Sequence, residues 1–361
     1  MPVLISCVVG ARPNFMKMAA ILDALGRRSQ FKTRLIHTGQ HFSPEMSDAF
    51  FRDLGLPEPD TYLDAGGGTA SEQTAEVMKR IEPEFAAHPP RLVLVVGDVN
   101  STLAAALVAA KRGIPVAHVE AGLRSFDRGM PEEINRLATD AVSDILFASE
   151  PSGVANLRNE GVPEEKIHLA GNVMIDTLLR FRDRAAESPI LEQLGITDKN
   201  FVAVTLHRPA NVDDPAKLAA LLAMLEEVAR RVPVVFPIHP RTRKVAEHNS
   251  ISTGNLILSP PLGYLDFLKL ESSARLVLTD SGGVQEETTI LGIPCLTLRD
   301  NTERPITISH GTNRLVGTDP ERIREAVWQA LESPIAPRPA PDLWDGLAAE
   351  RIARILETIL T

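Results

Sequence analysis

Cysteine is scarce in this chain: Cys7 and Cys295 are the two among 361 residues. Two cysteines make no disulfide framework, and without a CxxC pair or a Cys/His cluster no metal site is signalled. Aromatic residues make up 4%, too few for the stacked Trp and Tyr platforms of a lectin-like module. Excess positive charge is missing as well. The 38 Lys and Arg against 47 Asp and Glu leave a net charge of −9, the wrong sign for a protein whose main work is holding a nucleic-acid backbone. No apolar run reaches the ~18 residues of a membrane span. The opening MPVLISCVVGARP has no basic region ahead of its apolar run, so a strand is expected there rather than a leader, and a cytoplasmic protein. No GxGxxG opens the first strand–helix unit, and neither GxxxxGK[ST] nor GxSxG occurs. The signals of a nicotinamide site, a P-loop nucleotidase and a serine-hydrolase elbow are therefore absent, and no cofactor is called for.

What is present is an ordinary globular composition, 44% apolar and 24% charged, with length for one large or two ordinary domains. Short apolar runs alternate with helical stretches. Strands are expected at Val3–Val9, Arg34–Thr38, Leu92–Val96, Pro115–Val119 and Ile145–Ala148, with helices at Phe15–Leu25 and Thr102–Lys111 between them. The series restarts with strands at Phe201–Leu206, Val234–Pro237, Leu256–Leu258, Leu276–Thr279 and Pro294–Leu298, and helices at Pro215–Arg230, Val284–Leu291 and Pro320–Leu331. Continuous apolar strands separated by helices imply parallel sheets built from right-handed βαβ units. The fold class read from this pattern is α/β, with two doubly wound domains facing a cleft. The charged stretch Phe181–Lys199 reads as a linker, and a proline-rich segment at 333–342 leads to a last amphipathic helix, Leu343–Leu360. The expected domains are 1–175, with 343–361 packed on it, and 176–342.

In such sheets ligands sit at the carboxyl ends of the strands, so the polar residues just beyond each strand carry the functional argument. Asp280-Ser281-Gly282-Gly283 follows a strand and opens a helix, an arrangement suited to a phosphate or diphosphate. Glu287 lies one turn further on, placed to accept from ribose hydroxyls, although an ordinary strand–helix turn with solvated acids fits equally well. Gly10-Ala11-Arg12-Pro13 with Lys17 repeats the arrangement, and Arg12 and Lys17 bring positive charge to a helix start, where the macrodipole disfavours it. Asp98, Glu120 and Glu132 gather carboxylates at strand ends of the first half, as general acid/base work requires. Asp98 also reads as a helix cap and Glu132 as a first-turn acid after Pro131. His207-Arg208 and His239-Pro240-Arg241 follow strands of the second half, and Arg304 is another candidate anion ligand. His118 should share the face of Glu120, and Cys7 and Cys295 read as core.

Taken together, GARPNFMKMA, TGQH, VVGDVNST, HVEAGLRS with MPEEINR, VTLHR, LTDSGGVQEE, LRDNTERP and GTNRLVGTD resemble the non-hydrolysing UDP-N-acetylglucosamine 2-epimerases, in that family's order over roughly residues 3–320. The resemblance implies two Rossmann-like domains arranged as in GT-B glycosyltransferases, with a C-terminal helix crossing back to the first, and a cytoplasmic homodimer serving polysaccharide biosynthesis. It implies that UDP is eliminated from C1 as the C2 proton leaves, and re-added after protonation on the other face. Asp98, Glu120, Glu132 and His207 match catalytic positions. Arg12, Lys17, Phe267, Ser281, Gly282, Gly283, Glu287 and Arg304 match contacts of the UDP-sugar, Phe267 near the uracil. No metal or cofactor is implied. The chain departs from the family pattern at Asn14, where an acid is common, at His207-Arg208-Pro209-Ala210-Asn211, which lacks a usual Glu, and at His239-Pro240-Arg241-Thr242. A related UDP-2-acetamido sugar, such as a diacetamido or uronic acid form, is therefore an alternative substrate. A hydrolysing epimerase and a GT-B glycosyltransferase are the alternative activities.

Overall fold

The computed structural model describes residues 2–40, 51–333 and 338–360. His41 of the TGQH motif and part of the proline-rich segment lie outside them. The chain divides into two compact units, residues 1–180 with 342–361, and residues 181–341.

The first unit is built on a parallel sheet of seven strands. These are β1 Val3–Val9, β2 Phe31–His37, β3 Thr61–Tyr62, β4 Leu92–Val96, β5 Val116–Val119, β6 Ile145–Ala148 and β7 Ile167–Leu169, in the order β3-β2-β1-β4-β5-β6-β7. β4 reads Leu-Val-Leu-Val-Val and is buried along its whole length, as a strand covered on both faces must be. The helix Asn100–Lys111 presents Ala104, Ala105, Ala106 and Ala109 inward, and these small side chains let it lie close over Val93, Val95 and Val116. The order reverses direction between β1 and β4, the topological switch point where doubly wound sheets bind ligands.

The last helix, Ala348–Leu360, belongs to this unit and packs on the helix Arg12–Gly26. It starts five residues later than the sequence pattern predicts. Leu343 has a left-handed φ of 64°, and its carbonyl oxygen approaches Gly171 so closely that a Cβ there would lie 2.2 Å away. Trp344 is buried and donates to the Ser149 carbonyl at 3.0 Å. The helix buries Ala349, Ile352, Ala353 and Leu356, while Arg28 pairs with Glu350 and Glu357 at its edge. Its N-terminus is capped from outside: Asp176 accepts from the amides of Ala348 at 3.1 Å and Ala349 at 2.6 Å.

The second unit repeats the architecture with β8 Val202–Thr205, β9 Val234–Pro237, β10 Ile257–Ser259, β11 Leu276–Thr279, β12 Cys295–Thr297 and β13 Asn313–Leu315. All are parallel, in the order β10-β9-β8-β11-β12-β13. Its switch point lies between β8 and β11, whose register pairs Thr205 with Thr279. The helix Pro215–Ala229, capped by Asp214, buries Leu218, Leu221, Leu222, Leu225 and Val228 against the sheet. The α/β class with two doubly wound units thus holds.

The linker reading of 181–199 is corrected. The helix Val173–Ala186 runs through its start, and Ile190–Gln193 forms another short helix. Arg182, Asp183 and Glu187 are the solvated face of structure that buries Phe181, Ala185 and Ile190. Cys7 and Cys295 are both buried and unpaired with each other, and burial pushes each thiol up to about 12.

Asp176→Ala removes the cap of the last helix. We expect it to lower the stability of the chain by about 1–2 kcal/mol in urea unfolding followed by circular dichroism. An unchanged midpoint would remove Asp176 from that role.

Candidate functional site

Each unit brings polar groups together at its own switch point. In the first, the turn after β4 is the centre. Gly97 has a φ of 70°, and a Cβ there would meet Lys17 Nζ at 3.3 Å, Glu120 Oε2 at 3.4 Å and Asn14 Nδ2 at 3.5 Å. Three side chains from two other strand ends therefore converge on this one glycine. Lys17 and Glu120 are buried and form an ion pair. Asn14 accepts from the amides of Gly10 and Ala11 at 3.3 and 3.2 Å and donates to the Val96 carbonyl at 2.8 Å, so it fixes the turn after β1 to the end of β4. An acid at this position could accept from the two amides but could not make the donation when ionised. Arg12 begins the helix beside this turn and is half-buried, and burial pulls its guanidinium below the usual range.

Asp98 follows in the same turn. Its Oδ2 accepts from Arg136 Nη1 at 2.5 Å, and its carbonyl from Asn135 Nδ2 at 2.8 Å. Arg136 is almost wholly buried and also donates to Glu133 at 2.8 and 3.1 Å. Glu132, the second residue of the helix Pro131–Val142, is half-buried, whereas its neighbour Glu133 points into the protein and holds the Ser125 and Phe126 amides, each at 2.9 Å. Burial works against the charge on Glu133, but these amides and Arg136 hold its carboxyl below the usual range. His118 is fully buried between Asp140 (2.6 Å) and the Gly97 carbonyl (2.8 Å). It braces the turn, and Glu120, at a left-handed φ of 71°, turns instead to Lys17. Asp98 and Glu120 are thus brought to one turn, with Glu132 on the helix that carries the partner of Asp98.

In the second unit, Asp280 at the end of β11 organises the site. It is fully buried and accepts from the His207 amide (3.1 Å), the Arg208 amide (3.0 Å), Asn211 Nδ2 (3.0 Å) and His207 Nδ1 (2.9 Å). Burial alone would raise its carboxyl, but the His207 ring, Asn211 and the Arg208 amide hold it below the usual range. Ser281 N-caps the helix Gly282–Leu291 without a side-chain bond to it, which leaves the first amides of the helix as donors. Arg304 lies over this start: a Cβ on Gly282 would come within 2.3 Å of its Nη1. The guanidinium is buried between Glu286 (2.7 Å) and Glu303 (2.5 Å). Arg299 also binds Glu303, at 2.8 Å. Gly283 is half-buried in the first turn, and Phe267 is half-buried beside the cluster that holds Val284 and Leu270.

Glu287 is not the solvated acid that a plain helix turn would carry. It is buried, accepts from Tyr264 Oη at 3.2 Å, and faces the buried Glu271. Burial pushes Glu287 up to about 7, although its bonds with Tyr264 and Glu271 pull the other way and Glu286 adds repulsion. Burial and the charge of Glu287 drive Glu271 well above the carboxylate range, so Glu271 is the protonated partner. Tyr264 and Glu271 are seven residues apart and on one face of the helix Tyr264–Ser273, a spacing in which Glu271 is legible. Arg136 and Glu133 form a local i,i+3 pair, but the Arg136 contact with Asp98, 38 residues away, carries no such signal.

The sequence model of a family described as UDP-N-acetylglucosamine 2-epimerase matches residues 23–357. A UDP-N-acetylglucosamine 2-epimerase of Methanococcus maripaludis is 41% identical over 91% of this chain and 92% of its own. A UDP-2,3-diacetamido-2,3-dideoxy-D-glucuronate 2-epimerase of Pseudomonas aeruginosa is 44% identical over 90% and 91%. The crystal structure of the Methanocaldococcus jannaschii UDP-GlcNAc 2-epimerase in complex with UDP-GlcNAc and UDP superposes with a TM-score of 0.91 at 41% identity, covering 99% of this chain and all of that one.

The raised carboxyls make a pH prediction. A group whose pKa is raised on folding stabilises the fold below its unfolded value and stops doing so as pH rises through the folded one. With Glu287 moved from 4.5 to about 7, up to roughly 3 kcal/mol is at stake between pH 5 and pH 8. We expect the wild type to lose more stability over that interval than Glu271→Gln, whose amide keeps a neutral donor beside Glu287. Parallel losses in denaturant unfolding at the two pH values would contradict this.

Proposed function

The chain belongs to the UDP-N-acetylglucosamine 2-epimerase family, and we propose that it interconverts UDP-N-acetylglucosamine and UDP-N-acetylmannosamine by eliminating and re-adding UDP. The observation that carries the reading is the pair of charge-partnered acids at one turn, Asp98 on Arg136 and Glu120 on Lys17. A protein that only held a diphosphate would gain nothing from carboxylates gathered there.

The chemistry follows from the substrate. The C2–H bond is not acidic, so it needs a positioned carboxylate to take its proton. The C1–O bond breaks with its electron pair going to the β-phosphate oxygen, and C1 and C2 become doubly bonded in 2-acetamidoglucal. Return of a proton to the other face of C2, with UDP attacking C1, gives the epimer. Asp98, Glu120 and Glu132 supply acid and base, and His207 serves the departing diphosphate. The Ser281 side chain, the amides of Gly282 and Gly283, and Arg304 are assigned to the phosphates, as by family resemblance are Arg12 and Lys17, with Glu287 assigned to the ribose and Phe267 to the uracil; the Ser281 amide itself is taken by Thr279 Oγ1. The sequence of steps is redox-neutral and uses neither nicotinamide nor metal. The reading extends, on family resemblance, to a cytoplasmic homodimer that supplies polysaccharide biosynthesis. Among the described residues no helix is long and apolar enough to cross a membrane.

A second reading keeps the mechanism and changes the sugar. The Pseudomonas aeruginosa relative, at 44% identity, favours a 2,3-diacetamido uronic acid nucleotide.

Incubation with UDP-GlcNAc in D₂O is expected to place deuterium at C2 of both epimers. Glu120→Gln and Glu132→Gln should each slow the exchange by about 10²–10⁴-fold, with the former also leaving Lys17 buried without its partner. Labelling of the diacetamido uronic acid alone selects the second reading. No label in either sugar overturns both, and free N-acetylmannosamine with stoichiometric UDP would identify a hydrolysing enzyme.

A further inference from the structure

We propose that Asp280 is a positioning residue for the reaction, holding the His207 ring with Nδ1 turned inward and Nε2 presented to the diphosphate. This role rests on the epimerase reading and adds to it a residue that does not itself touch substrate.

The register places the two residues side by side. Thr205 of β8 pairs with Thr279 of β11, so His207 and Asp280 leave neighbouring strands at the switch point. Asp280 is wholly buried, yet the His207 side chain is 52% exposed. The ring is therefore tethered at one nitrogen and open at the other. A carboxylate only accepts, so the Nδ1 that lies 2.9 Å from Asp280 Oδ1 carries a proton. The same carboxylate also takes both backbone amides of the His207-Arg208 turn and the Asn211 amide group. These bonds leave the turn, and with it the ring, little freedom.

The position of Asp280 in the chain joins this tether to the phosphate site. The next residue, Ser281, caps the helix Gly282–Leu291, to whose first amides the proposed function assigns the diphosphate. When the C1–O pair settles on the β-phosphate oxygen, the ring in its doubly protonated form donates Nε2–H to that oxygen and keeps that proton throughout, while Nδ1–H stays on Asp280. The arrangement follows the general logic by which a buried carboxylate sets the tautomer of a working histidine.

Long-range ¹H–¹⁵N spectra of the wild type report the tautomer directly. At a pH where the ring is neutral, we expect the His207 proton on Nδ1. A proton on Nε2 overturns the proposal whether or not any variant folds. In kinetics, Asp280→Asn should lower kcat on the order of 10²-fold or more while the affinity for UDP changes less than about 3-fold. Introduced into His207→Asn, the same substitution should cost little further, since its effect runs through that ring. Full loss of kcat from Asp280→Asn in the His207→Asn background would show that Asp280 acts on something else and would overturn the proposal. A wild type that labels neither sugar at C2 defeats the epimerase reading itself. A wild type that labels normally while Asp280→Asn keeps full kcat defeats only the role of Asp280.

Discussion

Charge at the carboxyl edge of a buried parallel sheet cannot stand alone, because an isolated ion there costs more than a fold can recover. In this protein the edge is crowded with such charge, and the pairing of these groups, several of them with partners from other elements, shapes the packing around them. Lys17 reaches Glu120 across the turn at Gly97. Arg136 comes from the helix Pro131–Val142 to hold Asp98 and Glu133. Arg304 settles between Glu286 and Glu303. Glu271, buried beside Glu287, keeps its proton. The packing of these elements is thus set by where their charges must meet as much as by their apolar faces.

That constraint also explains how much of the molecule the amino-acid sequence discloses. Strands such as Leu92–Val96 announce themselves, since a strand covered on both faces is apolar throughout, and the residue that follows each one is open to inspection as a ligand. Asp98, Glu120, His207 and Ser281 are legible for that reason. The helix Pro131–Val142 is not. It buries Glu133, Asn135, Arg136, Thr139 and Asp140, so its inward face is polar and no apolar stripe marks it. The helix Val173–Ala186 is obscured in the opposite way, by a charged outer face that reads as linker. Asp280 stands in a motif where glycines draw attention to phosphate, and its bond to His207 becomes visible only once β8 and β11 are paired.

Function follows from the same placement. A parallel sheet gathers many loop starts at one edge, and here those starts deliver acids on cations in one unit, and an imidazole on a buried carboxylate in the other. The first set suits moving a proton at carbon, and the second suits receiving a departing diphosphate. Both tasks are demanded by an elimination in which C–H and C–O bonds break on adjacent carbons, and neither calls for an external oxidant.

The central claim is that the bond between C1 and the diphosphate oxygen breaks and reforms. UDP-GlcNAc carrying ¹⁸O in that bridging position tests it without any variant. Released UDP turns its β-phosphate before re-addition, so the label should spread into the non-bridging oxygens of recovered UDP-GlcNAc during turnover, read by ³¹P NMR. A label that stays in the bridge while the C2 epimer accumulates would contradict the account.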